Sequence, residues 1–189
     1  MSSSSSLSLS LLLVVLAVAA LARGADPIVQ IGQGRLRGLT SEGVDRFLGI
    51  PFAAPPVGGL RWMRPQAAKG WPGVRNALTF GDDCLSTKSN YIKLQNTSEN
   101  CLFLNVWRPA STAAAGAALP VMVFFYGGSW EYGGSSFPVY DGGPLVRTGG
   151  VILVTVNYRL GPFGFLASPA LAQRDPLGST GNYGSYLLN

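Results

Sequence analysis

The segment Val121–Tyr126 (VMVFFY) is wholly apolar, with Pro120 before it and the pair Gly127 and Gly128 immediately after it. An uncharged run of this length between two breakers fits a strand buried on both faces. Val151–Val156 (VILVTV) has the same character. Between the two runs lie a Gly- and aromatic-rich loop and a short helical stretch around Pro144 to Arg147. Two buried strands joined this way predict an α/β fold with a mostly parallel central sheet. The Gly-rich turn at the carboxyl end of the first strand carries the chemical interest. Successive backbone N–H groups exposed there can hold a developing negative charge.

Composition narrows the function classes. A chain of 189 residues has room for one ordinary domain, and 47% apolar content supplies a core. The net charge is +5, but only 12% of residues are charged and Lys and Arg do not cluster. A nucleic-acid interface is therefore not expected. There is no His and there are only two Cys, which makes a poor metal site, and no cofactor is expected.

Met1–Ser10 is Ser-rich, and Leu11–Ala22 (LLLVVLAVAALA) is uninterrupted apolar sequence. With small residues at Ala20 and Ala22, residues 1–22 read as a signal peptide, leaving residues 23–189 as the mature part. An uncleaved signal anchor that tethers the protein to a membrane is the alternative. No other apolar stretch reaches the length of a membrane span. A secreted protein follows, and that compartment permits a disulfide between Cys84 and Cys101. Closing the intervening loop would stabilise the fold by about 3 kcal/mol in the chain-entropy model; two buried thiols are the alternative. Asn96-Thr97-Ser98 in this loop is a glycosylation sequon, which marks the loop as surface.

Upstream, Ile28–Ile31 and Arg35–Gly38 flank a Gly-containing turn and predict a small antiparallel hairpin. Phe47–Ile50 is a third short strand. Ala53–Gly73 is interrupted by many Pro and Gly, so it is expected to be coil anchored by Trp62 and Trp71. Leu102–Trp107 reads as a further strand, Ser111–Ala118 (STAAAGAA) as a surface linker, and Pro169–Gln173 as a helical turn.

Several stretches together resemble the amino-terminal part of the type B carboxylesterase and cholinesterase family of α/β-hydrolases. They are FLGIPFAAPPVGGLRW (Phe47–Trp62), SENCLFLNVWRP (Ser98–Pro109), PVMVFFYGGSW (Pro120–Trp130), VILVTVNYRLGPFGFLAS (Val151–Ser168) and GNYG (Gly181–Gly184). The resemblance implies an incomplete α/β-hydrolase fold and hydrolysis of a small carboxylic ester by a Ser, His and acid triad. It implies that Gly127, Gly128 and Ser129 form the oxyanion loop, with Gly128 and Ser129 donating. It also implies a Cys84–Cys101 disulfide and a buried ion pair between Arg61 and Glu99.

The departures from the family pattern carry information too. Ser129 stands where the family has a third Gly; if the backbone there needs positive φ, a Ser is strained. Tyr126 replaces the commoner His, as in cholinesterases, and Asn100 replaces the usual Asp. The loop between the cysteines has no Trp, which argues against a choline ester. No G-x-S-x-G and no His occur, so none of the triad is in this chain. The residues after GNYG also leave the family pattern. A truncated or misjoined product, inactive alone, is therefore expected, and a non-catalytic binding or adhesion protein is the second reading.

Overall fold

The structure is a computed structural model that describes residues 26–86, 96–110 and 118–185. The expected signal peptide, the middle of the loop between the cysteines, nearly all of the Ser111–Ala118 linker and the last four residues lie outside the described residues. Strands β1 (Ile28–Ile31) and β2 (Gly34–Arg37) pair antiparallel as a hairpin. Next come β3 (Leu39–Ser41), β4 (Val44–Pro51) and β5 (Val74–Asn76), the last of which runs parallel to β2. The short β6 (Asp83–Cys84) pairs with β7 (Thr97–Ser98). The carboxyl half carries β8 (Phe103–Pro109), β9 (Val121–Phe125), helix α1 (Gly143–Gly149), β10 (Ile152–Val156), α2 (Gly161–Phe165) and α3 (Pro169–Arg174).

The principal sheet has the order β3-β4-β8-β10-β9. Of its described pairings, β3 with β4, β4 with β8 and β8 with β10 are antiparallel, and only β10 with β9 is parallel. The mostly parallel sheet expected from sequence is thus corrected to a mixed one. The physical reason is the connections. β9 to β10 is joined by a crossover that carries α1, as a parallel pair needs, whereas the long excursion between β4 and β8 brings the chain back antiparallel.

Three apolar clusters hold the sheet. Trp107 of β8, Leu153 of β10, Val44 and Leu48 of β4 and Val146 of α1 pack together. Leu36, Phe47, Ile50 and Ala77 tie the hairpin to the other side of β4. Tyr126, Tyr158, Leu160, Leu102 and both cysteines form a third cluster at the carboxyl end of β9 and β10. β4 breaks register between Phe47 and Ile50, where Gly49 has φ 68° and its N–H donates to Asn105 Oδ1 at 2.9 Å. A Cβ at Gly49 would lie 2.6 Å from the Thr79 carbonyl oxygen, so that irregularity requires glycine.

The second correction concerns β9. All five of its residues are exposed, from 36% for Phe124 to 58% for Val121. Among the described residues the strand lies at the sheet edge and pairs only with β10. An apolar run encodes a need for cover on both faces, and the described residues supply little beyond the Tyr140 ring, 4.8 Å from that of Phe124. β10, flanked by β8 and β9, buries Leu153, Thr155 and Val156. The Ala53–Gly73 stretch, expected to be coil, holds one 3-10 turn at Gly58–Leu60. Trp62 Nε1 donates to the Pro162 carbonyl and Trp71 Nε1 to that of Arg35, both at 2.9 Å. Among the described residues no helix is long and apolar enough to cross a membrane.

Candidate active-site loop

β9 delivers the chain into Tyr126, which is 2% exposed and fixed by a reciprocal pair of bonds. Tyr158 OH donates to the Tyr126 carbonyl at 2.8 Å, Tyr126 OH donates to that of Tyr158 at 3.3 Å, and the rings stack 4.6 Å apart. Burial raises the pKa of both phenols above the ordinary tyrosine value, so both stay neutral donors.

Beyond Tyr126 the backbone turns sharply. Gly128 has φ 140°, Ser129 has φ 55° and Trp130 has φ 59°. A Cβ on Gly128 would fall 1.9 Å from the Tyr132 carbonyl oxygen, so no other residue fits there. The Gly128 carbonyl accepts the N–H groups of Glu131 and Tyr132, closing the turn. The N–H groups of Gly127, Gly128 and Ser129 donate to none of the described residues. Positive φ at Ser129 fulfils the condition under which sequence predicted strain. Left-handed backbone costs an L-residue with a Cβ about 1–2 kcal/mol. The same conformation at Trp130 was not anticipated.

The far end of the loop is pinned by buried polar groups. Ser135 N–H donates to Asn157 Oδ1 at 2.9 Å, and Asn105 Nδ2 reaches Ser135 Oγ at 3.1 Å and Thr155 Oγ1 at 3.0 Å. Asn157 Nδ2 donates to the carbonyls of Asp82 and Cys101 at 3.1 Å. Ser136 donates through Oγ to Asp83 Oδ2 and through its N–H to Oδ1. Asp83 is fully buried, and desolvation raises its carboxyl above the usual range despite the Ser136 bonds. Sequence reasoning missed this network. Its signal was there: Asn105 lies inside one apolar strand and Asn157 directly follows another, and a buried amide must find partners.

The other sequence-derived residues sit around the loop. Cys84 and Cys101 are bonded, with Cα atoms 4.9 Å apart, and Asn157 links their segment to the loop. Arg61 donates from Nε and Nη2 to both oxygens of Glu99. That pair, expected to be buried, is part-buried, with side chains 40% and 20% exposed. The fork still holds the Glu99 carboxyl below its ordinary value. Asn96 is exposed and immediately precedes β7. No cluster of metal-ligating side chains occurs among the described residues.

Two clefts flank the loop. One, of about 410 Å³, is lined by Phe125, Tyr126, Trp130, Tyr158, Gly184 and Ser185. The other, about 520 Å³, lies between Ser129–Glu131 and α2. Trp130, 64% exposed, forms a wall of both. Apolar clefts of this size suit small-molecule ligands.

The Carboxylesterase family model matches residues 25–186. Fumonisin B1 esterase of Sphingopyxis macrogoltabida is 42% identical over 172 residues, covering 89% of this chain and 31% of that protein. Para-nitrobenzyl esterase of Bacillus subtilis (strain 168) is 42% identical over 143 residues, covering 74% of this chain and 29% of that protein. A solved structure of a PNB esterase superposes with a TM-score of 0.75 at 37% identity, covering 86% of this chain and 32% of the other. The chain thus spans about a third of the length of these relatives, and the fold is part of an α/β-hydrolase. With the family match running from before β1 to beyond Ser185, this chain belongs to the carboxylesterase family.

Proposed function

We propose that this chain is the amino-terminal portion of a secreted carboxylic-ester hydrolase and contributes its oxyanion loop. The observation that carries the reading is the set of N–H groups at Gly127, Gly128 and Ser129 that find no acceptor among the described residues, beside an apolar cleft at the carboxyl end of β9. Attack on an ester carbonyl moves charge onto oxygen. Preorganised N–H groups stabilise that charge without reorganising at the moment of reaction. The clamps at Tyr126 and at Ser135–Ser136 support this role by fixing both ends of the loop. The 189 residues contain no His, so the nucleophile's base must come from further polypeptide, and these residues alone are inactive. The Cys84–Cys101 bond supports an oxidising compartment, and the exposure of Asn96 supports its glycosylation.

Ser129 at φ 55° favours a second reading, a non-catalytic member of the family used for binding or adhesion. The transcript beyond the codon for Asn189 separates the two. A reading frame that continues into G-x-S-x-G and a later His supports the hydrolase. A frame that continues with the Ser replaced refutes it in favour of the binding protein.

A further inference from the structure

Asp83 is remote in sequence from the Gly127–Ser129 turn, yet packing connects the two. Its backbone is held on three sides. The neighbouring Cys84 is bridged to Cys101, the Asp82 carbonyl accepts from Asn157 Nδ2 at 3.1 Å, and the Asp83 N–H donates to the Asn96 carbonyl at 3.0 Å. The fully buried carboxyl accepts the Ser136 hydroxyl on Oδ2 and the Ser136 N–H on Oδ1. Two bonds to one residue fix its direction as well as its position. Taking a carboxyl out of water is costly, and packing alone would not require one here.

From Ser136 the constraint runs back along the loop through successive close contacts. A Cβ on Gly134 would overlap the Asp83 carboxyl. A Cβ on Gly133 would lie 2.5 Å from the Tyr126 ring and 3.0 Å from the Gly127 carbonyl oxygen. Tyr132, next in line, places its carbonyl where Gly128 has no room for a Cβ and donates its N–H to the Gly128 carbonyl at 3.2 Å. Contacts this close pass a displacement on instead of absorbing it. We propose that Asp83 is a positioning residue of the oxyanion loop. Its carboxyl, carried by the segment that the Cys84–Cys101 bridge closes, fixes the direction of the Gly127, Gly128 and Ser129 N–H groups. The role rests on the proposed oxyanion function of that turn, but the order of the turn is measurable without substrate, so the two readings fail separately.

Nitrogen-15 relaxation of the full chain reads that order amide by amide. In the parent chain Gly127, Gly128 and Ser129 should have order parameters of about 0.85, the value of rigid backbone. Asp83→Ala should drop all three below about 0.6 while the amides of β4 and β8 keep theirs. Asp83→Asn keeps an acceptor for the Ser136 N–H and can donate to its hydroxyl, so it should restore the order. Asp175→Asn, at the carboxyl bonded to Arg64, should leave it unchanged. Should Asp83→Ala fail to fold, Ser136→Ala decides, because it removes only the hydroxyl arm; a fall at the same three amides is expected. A turn already loose in the parent chain, or one still ordered in folded Asp83→Ala or in Ser136→Ala, would overturn the proposal. So would a loss shared equally by β4 and β8, equal loosening by Asp175→Asn, or an Asp83→Asn turn as loose as that of Asp83→Ala.

Discussion

At residue scale, Gly128 and Ser129 make opposite demands on one turn. Gly128 has no room for a Cβ, whereas Ser129 carries one in a conformation that resists it. Ser129→Gly should therefore stabilise the chain by about 1 kcal/mol, read as a shift in the urea midpoint. Gly128→Ala should destabilise it by about 2 kcal/mol or more, because the Tyr132 carbonyl must move. Asp83 and Asp175 offer a paired test with opposite signs. Desolvation raises Asp83, so the native state holds that proton more tightly than the unfolded chain does, and stability is lost as pH rises through the native value. Arg64 lowers Asp175, so its contribution is present above the ordinary carboxylate range and lost as pH falls. In thermal melts across pH, Asp83→Asn should gain on the parent chain as pH rises, and Asp175→Asn should lose ground over the same interval. Parallel profiles for both variants would contradict the assignment.

At the scale of elements, the sequence announces β9 and β10 equally clearly, yet the two differ in burial. Hydrophobicity marks what a strand needs, and neighbours decide what it receives. Val123→Lys on β9 should cost under about 1 kcal/mol, since that side chain is 53% exposed. Leu153→Ala on β10, 7% exposed within the Trp107 cluster, should cost about 2–5 kcal/mol. Chemical denaturation of the two variants measures the contrast, and equal costs would contradict the described edge. The hairpin, the tryptophan anchors and α1 were legible because turn residues and aromatic bulk act locally. The antiparallel majority of the sheet was not, because pairing direction depends on which strands meet across long connections.

For the molecule as a whole, the loop's position was readable from a Gly pair closing an apolar strand, but what holds the loop was not. Asn105, Asn157, Ser135, Ser136 and Asp83 come from four separate segments, and no local pattern links them before they fold. Nor could sequence show that Arg61 and Glu99 meet only part-buried. We propose that this chain brings a competent oxyanion loop to an esterase whose nucleophile and base lie elsewhere. The most direct measurement joins residues 26–185 to the remainder of Bacillus subtilis para-nitrobenzyl esterase and follows turnover of a nitrophenyl ester. The hybrid should hydrolyse the ester, and Gly128→Ala should lower its kcat by about 10²–10³ with little change in KM. A folded hybrid that is inactive even with Ser129→Gly, or one whose kcat ignores Gly128→Ala, would contradict the proposal.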